Sequence, residues 1–140
     1  MNGYAYIITP LVGWLVAQGI KFALSLRKDG SSWADFVQSG GMPSSHSAFM
    51  VSLAVLVGLN NGFTSAVFGI VAAITGIIIY DATGVRRTTG QQTEAINELA
   101  KAQKIKLKTK INVSRGHTPA EAAAGSLVGV IVGLLGYYVL

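Results

Sequence analysis

Four apolar runs, at residues 4–26, 47–59, 64–80 and 119–140, contain only two charged side chains between them, Lys21 and Glu121. At about 1.5 Å rise per residue, some twenty helical residues cover the roughly 30 Å hydrocarbon core of a bilayer. The first and last runs are long enough to cross, the third crosses with little tilt, and the second has the length of a tilted or re-entrant helix. The fold class expected is all-α, a multi-pass membrane helical bundle forming a single domain over residues 1–140. Composition agrees, since 51% of the 140 residues are hydrophobic, 12% are charged and 17 are glycine, a balance that suits a membrane protein better than a soluble domain. No basic stretch precedes the first run, which is also long for a cleaved leader, so it reads as a retained span.

The charges fall on one side of this pattern. All 11 Lys and Arg residues lie in or near the links at 27–45 and 81–120, whereas residues 1–3, the turn at 60–63 and the C-terminus have none. The positive-inside rule then makes the loaded face cytoplasmic and puts both termini on the opposite side. The net charge of +5 borders apolar spans rather than covering a soluble face, so anionic membrane lipid or phosphate is the expected partner and nucleic acid is not. The absence of cysteine excludes disulfides and thiolate metal sites. In the first link Trp33 and Phe36 suit the headgroup level. In the second, Ala95, Ile96, Leu99 and Ala102 recur at helical spacing over 91–105, and Lys101, Lys104, Lys106, Lys108 and Lys110 follow. That is the pattern of an amphipathic surface helix with a basic tail. Gly125, Gly129 and Gly133 recur every four residues in the last run, a face that lets another helix approach closely, either one of this chain or one of a second copy in a homodimer.

Chemistry concentrates at two helix entrances. Gly40-Gly41-Met42-Pro43-Ser44-Ser45-His46 opens the second run. Pro43 cannot donate a hydrogen bond, Ser44 or Ser45 can cap, and a helix's first turn leaves about four N–H groups over and a partial positive charge, so phosphate is a natural occupant. His46 sits where an acid or base would touch it. Arg115-Gly116-His117-Thr118-Pro119-Ala120-Glu121 repeats the device before the last run with a cation, a histidine and a carboxylate. Thr118 to Glu121 is also a capping box with proline at the first helical position, so Glu121 caps the helix, orients His117, or does both. Asp81, at the C-terminal end of the third run, faces the wrong end of a helix dipole, and a structural ion pair with Arg86 or Arg87 is favoured over a direct chemical role. Lys21 either snorkels to the interface or joins a phosphate site. If all four runs cross once, His46, Asp81, Arg86, Arg87, Arg115, His117 and Glu121 share one membrane surface. The two histidines are the only ones in the chain, and both open helices there, which points to catalysis.

Gly-Gly-Met-Pro-Ser-Ser-His at 40–46, Asp-Ala-Thr-Gly-Val-Arg-Arg at 81–87 and Gly-His-Thr-Pro-Ala-Glu at 116–121 resemble, in this order and over almost the whole chain, the divergent family of type 2 phosphatidic acid phosphatases, related to vanadium haloperoxidases. The resemblance implies a phosphohistidine mechanism that requires no metal or cofactor. His117 matches the nucleophile, Glu121 the acid that orients it, His46 the general acid for the leaving alkoxide, and Ser44 with nearby N–H groups the hold on phosphate oxygens. The chain differs in having Ser45 where the larger family has glycine, in lacking an intact first motif around Lys21 and Lys28, and in placing Arg115 two residues before His117 rather than six. Arg86 and Arg87 are our own candidates for the missing cations. The expected activity is hydrolysis of a lipid phosphate monoester or pyrophosphate. Beside it stand two non-catalytic readings: a protein that binds or translocates an anionic lipid headgroup, and a lapsed enzyme acting as an assembly partner through the glycine face.

Overall fold

The computed structural model describes residues 3–26, 41–105 and 116–140. Trp33, Phe36, Lys106, Lys108, Lys110 and Arg115, which carry several of the expectations above, lie outside the described residues. The chain forms α1 (Ala5–Ser25), α2 (Ser45–Asn61), α3 (Ala66–Tyr80), a π turn (Asp81–Val85), α4 (Arg86–Ala102) and α5 (Pro119–Val139), with no strand among the described residues. The four apolar runs have become α1, α2, α3 and α5, an all-α membrane bundle. Three stretches are long and apolar enough to cross a membrane, Ala5–Ser25, Ala66–Ala102 and Pro119–Val139, and α2 runs among them.

The starts of α2, α3 and α5 are each fixed by a hydroxyl. Ser44 Oγ accepts the Ser47 N–H at 3.3 Å, Ser65 Oγ accepts the Phe68 N–H at 3.1 Å, and Thr118 Oγ1 accepts the Glu121 N–H at 3.2 Å. These caps satisfy first-turn donors that hydrocarbon cannot. Gly62, at φ 87°, makes the turn from α2 to α3 in a conformation that side chains disfavour.

The distribution of side chains is inverted relative to a water-soluble fold. Ser44, Ser47, Ser52, Thr9, Ala17 and Ala48 are buried, whereas Ile7, Leu11 and Leu15 of α1, Ile70, Ile74 and Ile77 of α3, and Leu127, Ile131 and Leu135 of α5 face outward. Lipid solvates large apolar groups as well as a protein interior does, so small residues take the helix contacts.

α2 is the central helix, in contact with α1, α3 and α5. A Cβ on Gly125, Gly129 or Gly133 of α5 would meet, in turn, the backbone of Ser44, that of Ala48 and Ser52, and Ser52 with Val55. The partners advance together, so α2 and α5 lie parallel. α1 runs the other way, with Gly13 against Ala48 and Ser52, Lys21 beside Gly41, and the Tyr6 hydroxyl donating to Asn61 Oδ1 at 3.0 Å. α3 returns from the Gly62 turn with Thr75 over the Met50 carbonyl. The C-terminal ends of α1 and α3 and the N-terminal ends of α2 and α5 consequently share one end of the bundle.

Two open alternatives narrow and one expectation changes. The glycine stripe of α5 lies against α2 of the same chain, which is one of the two partners left open. α2 is one unbroken helix lying alongside the length of α1, rather than a re-entrant segment that turns back to the side it came from. The third run does not stop at Tyr80: the helix continues through the π turn to Ala102, so Asp81 lies inside a helix and the dipole argument for its partner falls away.

Because Gly129 meets backbone on α2, Gly129→Leu should destabilise the protomer itself, by about 1–3 kcal/mol or more on the scale of overpacked cores. Thermal unfolding of the purified protein checks this, and an unchanged midpoint would mean that α2 and α5 are not in close contact.

Candidate active site

His117 is held from two sides. Its N–H donates to the Ala82 carbonyl in the π turn at 2.8 Å, and Gly116 before it lies so close to the Arg87 backbone and the Ala82 carbonyl that a Cβ would collide with both. The imidazole is 3% exposed. Its Nδ1 lies 3.5 Å from Glu121 Oε2, within ion-pair reach but long for a hydrogen bond, and makes no hydrogen bond. The same Oε2 accepts the Thr118 N–H at 2.8 Å. The capping box thus fixes the carboxylate that faces the imidazole, and capping and facing His117 coexist in one oxygen. With Nδ1 turned to Glu121, Nε2 is the nitrogen left for an electrophile. Burial holds His117 below its ordinary pKa, Glu121 opposes this, and the charges of Lys21 and His46 reinforce it. Near neutral pH the ring is the uncharged form, which is the nucleophilic one.

The entrance of α2 is tied to the same place. The Ser44 N–H donates to the Glu121 backbone carbonyl at 3.0 Å, which Gly125 permits by leaving room beside the Ser44 backbone. Ser44 Oγ accepts from the Ser47 amide and also pairs with the Ser47 hydroxyl at 3.1 Å. Ser44 is fully buried and its amide and hydroxyl are engaged in these contacts, while Ser45 is buried at its side. With Ser47's amide capped, those of Ser45 and His46 are the first-turn donors left over among the described hydrogen bonds. His46 itself is exposed.

Charged groups surround the two rings. Lys21 is buried, its stem running past Gly41, which has φ +85°, and its charge bears on Glu121, His46 and His117. This is a lysine drawn into the bundle end. Arg86 Nε pairs with Asp81 Oδ2 at 2.6 Å, and both charges act on His46. Arg87 is exposed and contributes its backbone as the floor under Gly116. Of the residues singled out in the sequence, His46, His117, Glu121, Lys21, Asp81 and Arg86 come together. Ser44 serves as cap and tie, and Arg115 lies outside the described residues. Among the described residues no group of three or more His, Asp or Glu could hold a metal ion. Sequence reading missed Ala82, whose carbonyl seats His117, and Ser47; only Gly116, directly before the histidine, carried a signal for the first.

Residues 3–132 match the model of a family described as the divergent PAP2 family. A relative from Bacillus subtilis (strain 168), described as "uncharacterized membrane protein YuiD", is 33% identical over 147 aligned residues, covering 92% of this chain and 91% of its own length. No solved structure matches.

With two histidines in the chain, nitrogen-15 spectra of histidine-labelled protein resolve each ring. His117 should titrate below the ordinary value of about 6.5. Glu121→Gln keeps an oxygen for the Thr118 N–H but removes the charge that favours imidazolium, so the midpoint should move lower still. A rise on that substitution would contradict the geometry.

Proposed function

This chain belongs to the divergent PAP2 family, and from that premise we propose that it is an integral membrane phosphohydrolase acting on a lipid phosphate monoester or pyrophosphate through a phosphohistidine. The observation that carries the proposal is the pair of histidines at one end of the bundle, one buried against a fixed carboxylate and one exposed among cations. The whole chain is then one phosphatase-like domain.

In this mechanism His117 Nε2 attacks phosphorus in line and the bond to the leaving oxygen breaks. His46, as imidazolium, gives its proton to that oxygen. Lys21, Arg86 and the free amides of Ser45 and His46 stabilise the charge on the equatorial oxygens, with Arg87 and Arg115 as outer candidates. Glu121 offsets the positive charge that His117 acquires. Water, giving its proton to the now neutral His46, then attacks the phosphohistidine, releasing phosphate and returning His117 to its starting form. No metal or cofactor enters these steps. The acyl or prenyl chains stay in the bilayer while the headgroup enters between His46 and His117. The concentration of Lys and Arg at this end supports a cytoplasmic site held against anionic lipid, with both termini on the other side.

Phosphate release by purified protein in mixed micelles tests the proposal over phosphatidate, phosphatidylglycerophosphate and polyprenyl pyrophosphate, with His117→Ala as control. Turnover of at least one substrate is expected, falling to background in the variant and inhibited by vanadate, which mimics the five-coordinate transition state. Headgroup binding without turnover on any of the three would replace the enzyme with a binding or translocating protein.

A further inference from the structure

Between α3 and α4 the helix widens for a single turn. The Arg86 N–H reaches back five residues to the Asp81 carbonyl, and the Arg86 side chain closes on the Asp81 carboxylate at 2.6 Å. The same two residues therefore close the turn twice, once through backbone and once through side chains. In a regular α-helix the Arg86 N–H would go to the Ala82 carbonyl. Here that carbonyl accepts the His117 N–H instead, and Gly116 rests on the Arg87 backbone just beyond the turn. The segment leading into α5 is docked on the widened turn through two adjoining residues. π turns are rare and concentrate at functional sites.

We propose that the π turn is the seat that positions His117, and that Asp81 is a positioning residue which, by holding Arg86 across the turn, keeps the register that presents the Ala82 carbonyl to the His117 backbone. The proposal rests on the reading of His117 as the reacting group. The effect expected of Asp81 is on position rather than on stability. The pair is substantially exposed, with side-chain exposures of 46% for Arg86 and 36% for Asp81, and pairs of that kind add little to stability. The charges that bear on the His117 ring are those of Glu121, Lys21 and His46, not that of Asp81. Asp81 does act on His46, whose charge bears on His117, so the His117 spectra of the Asp81 variants are read in a His46→Ala background, where a change at His117 travels through the backbone.

The test uses the full chain in micelles, reading both the nitrogen-15 signals of His117 and turnover. Asp81→Asn should shift the His117 resonances and titration midpoint and lower kcat, by up to about 100-fold for a displacement near 1 Å, with a smaller change in KM. Asp81→Glu should recover part of both. Deleting Thr83 returns the turn to α spacing, and should displace the His117 signals while overall helicity persists. Unshifted His117 signals in Asp81→Asn would overturn the role of Asp81, and unshifted signals in the Thr83 deletion would overturn the role of the turn. If Asp81→Asn fails to fold, the Asp81→Glu variant and the deletion decide between these outcomes. If the wild-type protein turns over no lipid phosphate, the phosphatase reading fails, while the His117 spectra still report on the seat.

Discussion

Gly125, Gly129 and Gly133 let the backbone of α5 lie against Ser44, Ala48 and Ser52 of α2, and in lipid this close approach takes over what apolar burial does in water. Because the two helices run parallel, their capped N-termini emerge side by side. That brings the Ser44 amide to the Glu121 carbonyl and sets His46 and His117 at one end of the bundle. Both helix dipoles then point their positive ends at the same spot, next to Lys21. An antiparallel pairing of the same two helices would have put the histidines at opposite ends of the bundle.

Much of this was legible in the residues. Uncharged runs of spanning length, separated by polar links, are the strongest pattern a membrane helix leaves in a sequence, and the four runs and the all-α bundle follow from them. The Thr118-Pro119-Ala120-Glu121 box and a serine cap at Ser44 or Ser45 were readable because capping is local chemistry within four residues. The partner of the glycine stripe was not, since every-fourth spacing says that a helix comes close without saying which. The continuation past Tyr80 was hidden for a related reason. Asp81, Arg86 and Arg87 look like a break in hydropathy, yet nothing in Asp81-Ala82-Thr83-Gly84-Val85 forbids helix, and a widened turn depends on a tertiary contact at Ala82. Ser44 shows the same limit on the chemical side, because its residue type suits a phosphate ligand while its position between two helices makes it a tie.

Burial divides the two histidines. His117, sealed under the π turn and beside a carboxylate, is kept uncharged and oriented. His46 remains exposed in a first turn among Lys21, Arg86 and Asp81. The two identical side chains thus differ in exposure and in what fixes them, one ring sealed and oriented and the other open at the bundle end. In the proposed reaction one ring attacks and the other manages protons.

The most direct test of this account is to quench the protein with acidless denaturant during turnover of a lipid phosphate and locate the covalent phosphate by mass spectrometry. The account expects a base-stable, acid-labile adduct on His117 that is absent from the His117→Ala variant. Turnover with no adduct on His117, or with phosphate carried by another residue, would contradict it.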